Sequence, residues 1–435
     1  MLLVALAWGD PSSVAVGAAG EHVKLGQGEL EPSVTARTTW RSNVYLQEQN
    51  ELSALAVVLS PAFKFKSDGE NARLALDGSW GLRQYLTTAR QNLSSYGETK
   101  ASGALTLLPR SRISIKTAMN HSRTTRAIEN RGAEESLITS MTNRGNAALS
   151  FQPGSALSFS VGGFGSFDDY RVPSYATSKA NGKLNNRYGF GPEVALKWTF
   201  FPRTAVLGSF SKSWYDWDDN VVSAVGDDGQ YTDDVGDYMA MPNSEAWRAM
   251  IGLHGRITER LVLSLSGGYG EADYDEDSVD AVAEEEGDSS YDQDLEGFPS
   301  GLVVRTALQW SPRRGHTFDL GYWKDHQDSW FTNYLSYHYG YLRYDGMMTS
   351  RVLMGVEGGY RLETYHGEVT RADHLIRGEG YLTFRTNGWA DLSLRGFWTR
   401  RASANEDVDA SVYGTNLAWI EYDDFGGTVD LTLRY

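Results

Sequence analysis

No cysteine occurs anywhere in the 435 residues. That removes a disulfide framework and every thiolate metal site. Nor does the chain hold a run of about 20 apolar residues, the length a helix needs to cross a bilayer, and the mean hydropathy of −0.42 agrees. Helical membrane spans are excluded. A β-barrel is not, because only alternate residues of its strands face lipid. No linker rich in Pro, Gly or Ser divides the sequence, which favours one large domain over two or three. Basic residues are outnumbered, 40 against 56 acidic ones. The net charge of −16 argues against a nucleic-acid partner, which needs a basic surface. No compact catalytic constellation is present, so neither an enzyme nor a cofactor is expected.

What the chain does have is alternation. Thr428-Val429-Asp430-Leu431-Thr432-Leu433-Arg434-Tyr435 follows a Gly426-Gly427 pair and switches between polar and apolar without a break. As a strand it puts Val429, Leu431, Leu433 and Tyr435 on one face and Thr428, Asp430, Thr432 and Arg434 on the other. The pattern recurs. Val352, Met354, Val356, Tyr360 and Leu362 oppose Arg351, Glu357, Arg361 and Glu363, with Leu353 out of phase. Ile376, Leu382 and Phe384 oppose Arg377, Glu379 and Arg385; Leu392, Leu394 and Trp398 oppose Asp391 and Arg395. Near the other end, Leu74, Leu76, Trp80 and Leu82 oppose Arg73, Asp77 and Arg83. Charges this regular on an inward face would ruin a packed core. A water-filled interior with lipid outside explains every segment.

Short turns punctuate the pattern. Pro109-Arg110-Ser111, Pro153-Gly154-Ser155, Pro202-Arg203-Thr204 and Pro312-Arg313-Arg314 each separate two alternating segments, as do Asp68-Gly69, Ile257-Thr258-Glu259, Asp345-Gly346 and Asn387-Gly388. Between them lie longer connections whose acidity is concentrated in Asp216 to Asp237 and Glu271 to Glu296. The fold class expected is all-β: a single transmembrane antiparallel β-barrel of about 18 strands, within a range of about 16 to 20, with short periplasmic turns and long acidic extracellular loops. Its place is the bacterial outer membrane. Aromatic residues make up 12% of the chain, with 24 Tyr and 13 Trp, enough to furnish girdles at two interfaces. A lumen of this size is not filled by side chains, so any constriction within the chain falls to an extracellular loop.

The N-terminus, Met1-Leu2-Leu3-Val4-Ala5-Leu6-Ala7, resembles the end of a secretory signal closing on a small-x-small cleavage site. Residues 1–30 are therefore expected to be a signal remnant with a periplasmic segment, and 31–435 the barrel, its first strand near Val34 to Asn43. Residues Val412 to Asp424 read either as an extension of the last strand or as a strand of their own. Trp40-Arg41-Ser42-Asn43-Val44-Tyr45, followed by Leu59-Ser60-Pro61-Ala62-Phe63, resembles the opening of a family of outer-membrane β-barrel porins associated with bacterial exopolysaccharide export. The family pattern is aromatic-Asp-Ser-Asn-Val-aromatic and then Leu-x-Pro; Arg41 stands here where Asp is usual. The resemblance implies a conduit for a polysaccharide cargo, working with a periplasmic polysaccharide export protein. The alternatives are a general diffusion porin for small solutes and a structural or adhesive barrel. Further partners expected of such a barrel are outer-membrane lipid, lipopolysaccharide and the barrel assembly machinery that engages the C-terminal strand.

The candidate site is the set of inward charges near the C-terminus: Arg351, Glu357, Arg361, Arg377, Glu379, Arg385, Asp391, Arg395, Asp430 and Arg434. Cross-strand ladders of this kind set selectivity in pores, although solvated charges that merely keep a lumen wet read the same way. Tyr381 and Phe397 fall in phase with these charges and offer ring faces to a passing solute. Asp273, Asp275, Asp277 and Glu284 match four positions of an EF-hand loop, but Ser278 occupies the place that needs glycine and no helices flank it, so a mobile acidic loop is the simpler reading. Ser336 and His338 share a face without an orienting acid in the sequence pattern.

Overall fold

A computed structural model describes residues 23–25, 27–46, 51–86, 96–126, 137–171, 186–217, 243–274, 278–281, 291–294, 301–328, 334–366, 371–386, 388–403 and 421–434. All the regular structure described is β. The strands are β1 (Val23–Leu25), β2 (Gly28–Arg41), β3 (Ala54–Asp68), β4 (Ala72–Tyr85), β5 (Tyr96–Leu107), β6 (Ile113–Arg126) and β7 (Ile138–Phe151), then β8 (Leu157–Arg171), β9 (Arg187–Phe201), β10 (Thr204–Trp217), β11 (Ser244–Thr258), β12 (Leu261–Tyr274), β13 (Ser278–Ala281) and β14 (Tyr291–Asp294). The remainder are β15 (Gly301–Arg313), β16 (His316–Asp328), β17 (Tyr334–Thr349), β18 (Val352–His366), β19 (Arg371–Arg385), β20 (Ala390–Ser403) and β21 (Tyr422–Arg434).

From β2 onward each long strand pairs antiparallel with the next, and β21 pairs back onto β2 with Arg37 opposite Asp430. Setting aside β13 and β14, which pair with each other, and β1, this makes a closed barrel of 18 strands. Following the registers once around returns to β2 displaced by about 22 residues, which corresponds to a strand tilt of roughly 40° and a backbone radius of roughly 17 Å. β21 stops opposite Ser33, and β1 takes over the edge of β2 below that point, pairing Val23 with Leu30 and Leu25 with Gly28.

At the long-loop rim the strand ends are separated by longer stretches of sequence that fall mostly outside the described residues, and eight short turns lie at the other rim. The expected turns fall here with one exception. Gly315 and Gly388 sit in two of them with φ of +79° and +77°, a conformation that favours glycine; Asn387 lies outside the described residues. Asp345-Gly346 does not turn: it continues β17, and the chain reverses four residues later. There Thr349 Oγ1 accepts hydrogen bonds from the amides of Arg351 and Val352, closing the turn with a side chain where a glycine dipeptide had been expected. Gly426-Gly427 likewise lies inside β21. A Cβ on Gly426 would stand 2.2 Å from the carbonyl oxygen of Trp40, so this glycine permits close strand approach.

The two faces of the wall differ as the alternation requires. Exposed apolar side chains such as Leu59, Leu76, Ile251, Leu320, Val356 and Leu431 all occupy one face. Trp40, Tyr188, Phe190, Trp398 and Phe425 edge that band toward the long loops, and Phe63, Phe159, Trp198, Trp310 and Phe384 toward the short turns. The opposite face is concave: Arg248 on β11 reaches Asp325 on β16 at 3.2 Å across the two intervening strands. Strands are about 4.8 Å apart, so such a contact closes only on the inside of a curved wall.

Candidate functional site

The inner wall is a system of cross-strand polar pairs. At the seam between β2 and β21, the hydroxyls of Thr35 and Thr432 are 2.9 Å apart, Arg37 meets Asp430 at 2.6 Å, the hydroxyls of Thr39 and Thr428 are 3.2 Å apart, and Arg41 pairs with Asp424. Asp424 also accepts the Asn43 amide at 3.2 Å, and the Ser42 amide donates to the Phe425 carbonyl at 2.9 Å. The motif that begins at Trp40 thus ties the first strand to the last, and Arg41 has a carboxylate to meet. The motif's last two residues, Val44 and Tyr45, pack with Ala54, Ala56, Tyr85 and Leu137 and so lie against the inner wall at the long-loop rim.

Of the charged residues singled out in the sequence, nine lie on strands in phase with this inner face. Arg434 joins Asp391 at 2.5 Å and Glu31 at 3.3 Å; Asp430 holds Arg37; Arg395 meets Glu379 at 3.2 Å. Arg361 lies 2.9 Å from Glu363, without the alignment of a hydrogen bond, and its guanidinium sits 4.1 Å from the centre of the Tyr337 ring. Glu357 stands between Arg343 and Glu379 in the ladder, and Arg377 and Arg385 face inward from β19. Arg351 is the exception. It sits in the turn before β18, exposed at the short-turn rim, because β17 runs three residues past Gly346.

A larger set was not foreseen. Arg401, Glu363, Asp373 and Tyr365 form a buried cluster: Arg401 Nε donates to Asp373 at 3.0 Å, and its Nη2 to Glu363 at 2.9 Å and to the Tyr365 hydroxyl at 2.7 Å. Asp325 is gripped by Arg248 and by Arg305, the latter at 2.6 Å. Asp345 takes Arg343 at 2.6 Å and the Tyr381 hydroxyl. Inward pairs extend around the rest of the wall: Arg83 meets Glu98 at 2.6 Å and Arg187 meets Asp168 at 3.1 Å. Beside them, β5 to β10 turn in Lys100, Lys116, Arg144 and Lys197 alongside small polar side chains such as Ser102, Asn120, Asn146, Ser160, Ser209 and Ser211.

Aromatic rings also stand on the inner wall. Trp323, Tyr339 and Tyr341 face inward with centroids 5.3 to 5.8 Å apart. Each tyrosine lies over a glycine of the neighbouring strand: a Cβ on Gly321 would meet Tyr341 Cε1 at 2.1 Å, and one on Gly359 would meet the Tyr339 hydroxyl at 2.8 Å. Tyr381 covers Gly355 and Phe397 covers Gly426 in the same way. Rings that have glycine beside them fold down against the wall, covering backbone that would otherwise be bare. Their bulk is kept out of the lumen.

The remaining candidates come apart. Asp273 is a strand residue of β12 paired with Glu245, which removes the first position of the proposed calcium loop; Asp275, Asp277 and Glu284 lie outside the described residues. No grouping of metal-binding side chains occurs among the described residues. Ser336 and His338 do share a face, but it is the outer one, and they bond to different partners: Ser336 to His366 at 3.0 Å and His338 to the Tyr322 hydroxyl at 2.7 Å.

No protein-family model matches the chain, and no curated protein does. Among solved structures, the outer membrane protein OpdK from Pseudomonas aeruginosa is similar over 93% of this chain and 99% of its own, with a TM-score of 0.46 and 12% identity. OccAB2 from Acinetobacter baumannii is similar over 96% and 100%, with a TM-score of 0.46 and 11% identity. A BenF-like porin from Pseudomonas fluorescens Pf-5 is similar over 93% and 99%, with a TM-score of 0.46 and 12% identity. A closed, even-stranded antiparallel cylinder with an apolar sleeve, an aromatic edge at each rim and a polar inner wall makes this chain an outer-membrane β-barrel channel.

Proposed function

We propose that the channel passes small hydrophilic solutes by diffusion. The observation that carries this reading is the inner wall itself: charges occur chiefly as ion pairs held against the sheet, and Tyr339, Tyr341, Tyr381 and Phe397 lie flat over glycines, so the wall is wet and smooth there. A diffusing solute needs no more than that. The polysaccharide conduit implied by the opening motif ranks second. Its motif residues Arg41, Ser42 and Asn43 are engaged in closing the seam, and Val44 and Tyr45 pack against the wall, so the motif has a structural role that calls for no polymer. Selectivity on this reading comes from the paired charges of β18 to β21, with Arg361, Arg377 and Arg395 as the cations that a solute meets.

Liposome swelling with the purified full chain tests the proposal. Mono- and disaccharides should enter and a dextran should not. Dextran entry at a comparable rate would favour the polymer conduit, and no entry of any solute would refute an open channel.

A further inference from the structure

One place on the inner wall is neither bare backbone nor ion pair. Trp323 on β16 is 36% exposed, and of the exposed large apolar side chains on β2 to β21 among the described residues it alone faces the lumen; the others face lipid or lie at a rim. Apolar surface left open to water is unfavourable until something covers it. Tyr339 and Tyr341 stand beside it. The planes of the two tyrosines differ by 21°, so together they make a floor, and the indole is inclined to them by 47° and 60° as a side wall. The three centroids form a triangle with sides of 5.3 to 5.8 Å, a niche with room for one six-membered ring.

The edge of the niche is polar and carries both signs. Arg361 lies opposite Tyr339, Gly359 lies between Tyr341 and Arg377, and Glu357 is the next inward residue along β18 from Gly359. The neighbours of Glu357 are taken, Arg343 by Asp345 and Glu379 by Arg395. Its carboxylate, the hydroxyls of Tyr339 and Tyr341 and the indole N–H of Trp323 have no hydrogen-bond partner among the described residues. Donors and acceptors therefore ring an apolar floor. An aromatic acid would use the floor and the cations but would meet the Glu357 carboxylate. A pyranose matches both parts, with a C–H face for the rings and a rim of hydroxyls that donate and accept. A row of rings would pass a sugar chain along, whereas a triangle holds a single unit.

We infer that Trp323, Tyr339 and Tyr341 form a subsite for one neutral pyranose, its C–H face on the rings and its hydroxyls on Glu357 and Arg361. The inference rests on the lumen being an open path for small hydrophilic solutes. The test is ion current through the purified full chain in a planar bilayer, titrated with D-glucose, with its open-chain counterpart D-glucitol, and with benzoate as a planar aromatic acid. Glucose should reduce the current saturably and at lower concentration than either control. Trp323→Ala should weaken the glucose block by about fivefold, the worth of one aromatic contact, while Trp323→Phe stays within about twofold of wild type. Glu357→Gln should weaken it as well, and heat-dependent gel mobility verifies that each variant is folded. An open channel without saturable glucose block, equal block by glucitol or benzoate, or an unchanged block in folded Trp323→Ala would overturn the subsite and leave the channel standing. A wild-type chain that passes no current would refute the open channel itself, and the subsite with it.

Discussion

Replacing Arg401 with methionine should cost the barrel about 3 kcal/mol. The side chain of Arg401 is 1% exposed, and its partners Asp373 and Glu363 are 0% and 5% exposed, so truncation leaves two carboxylates deprived of a cation away from water. Removing one partner of a buried pair costs roughly 3 to 5 kcal/mol. The lower end applies here because Glu363 keeps Arg361 at 2.9 Å and the Tyr365 hydroxyl at 3.1 Å, which leaves Asp373 as the principal loser. Adding Asp373→Asn removes the stranded charge, and the double variant should recover to within about 1 kcal/mol of wild type, a coupling that a double-mutant cycle isolates. Guanidinium titration of the protein in lipid vesicles, followed by tryptophan fluorescence, measures each step. A loss below about 0.5 kcal/mol for Arg401→Met, or additive losses in the double variant, would show that water reaches this cluster and that it is not a buried triad.

Three other outcomes are expected. Reversing Arg361 or Arg395 to Glu should shift the reversal potential under a salt gradient toward cation preference; unchanged selectivity in both would sink the assignment of these residues to the permeation path. Leu431→Arg, on the lipid face, should destabilise the vesicle-embedded barrel by about 2 to 4 kcal/mol, whereas Thr432→Arg one residue away should cost about 1 kcal/mol or less, and equal effects would contradict the assigned faces. Gly321→Ala places a methyl 2.1 Å from Tyr341. The ring must lift into the lumen, so single-channel conductance should fall while stability drops by about 1 to 3 kcal/mol, and an unaltered conductance would refute the account of rings laid flat.

Much of this architecture is legible in the sequence because the physics behind it is local. Alternation needs only two residues to show itself, so Asp391 and Leu392, or Arg377 and Ile376, declare their faces before any partner strand is known. Turns are equally local, and the one misplaced is instructive. Asp345-Gly346 has the composition of a hairpin, yet Asp345 is held inward by Arg343 and Tyr381, and a threonine three residues beyond Gly346 makes the reversal. That displacement alone moved Arg351 from the wall to the rim. The contacts missed were of another kind. Arg248 and Asp325 are separated by two whole strands and meet only because the sheet curves; nothing near either residue in sequence announces the other. The buried triad of Arg401, Glu363 and Asp373 likewise draws on three strands, and the flattening of Tyr339 and Tyr341 depends on glycines across the ladder.

A tilted cylinder cannot have two level ends where its first and last strands meet: the stagger must leave a step. In this barrel the step falls at Ser33, where β21 stops and β2 still has five residues to run. β1 fills the first of that gap by folding back on Gly28 to Leu30. Those three pairs give the lower lip of the seam a partner from its own chain, so the site where a newly closing barrel would present bare backbone to a neighbour is occupied as soon as the N-terminal hairpin forms.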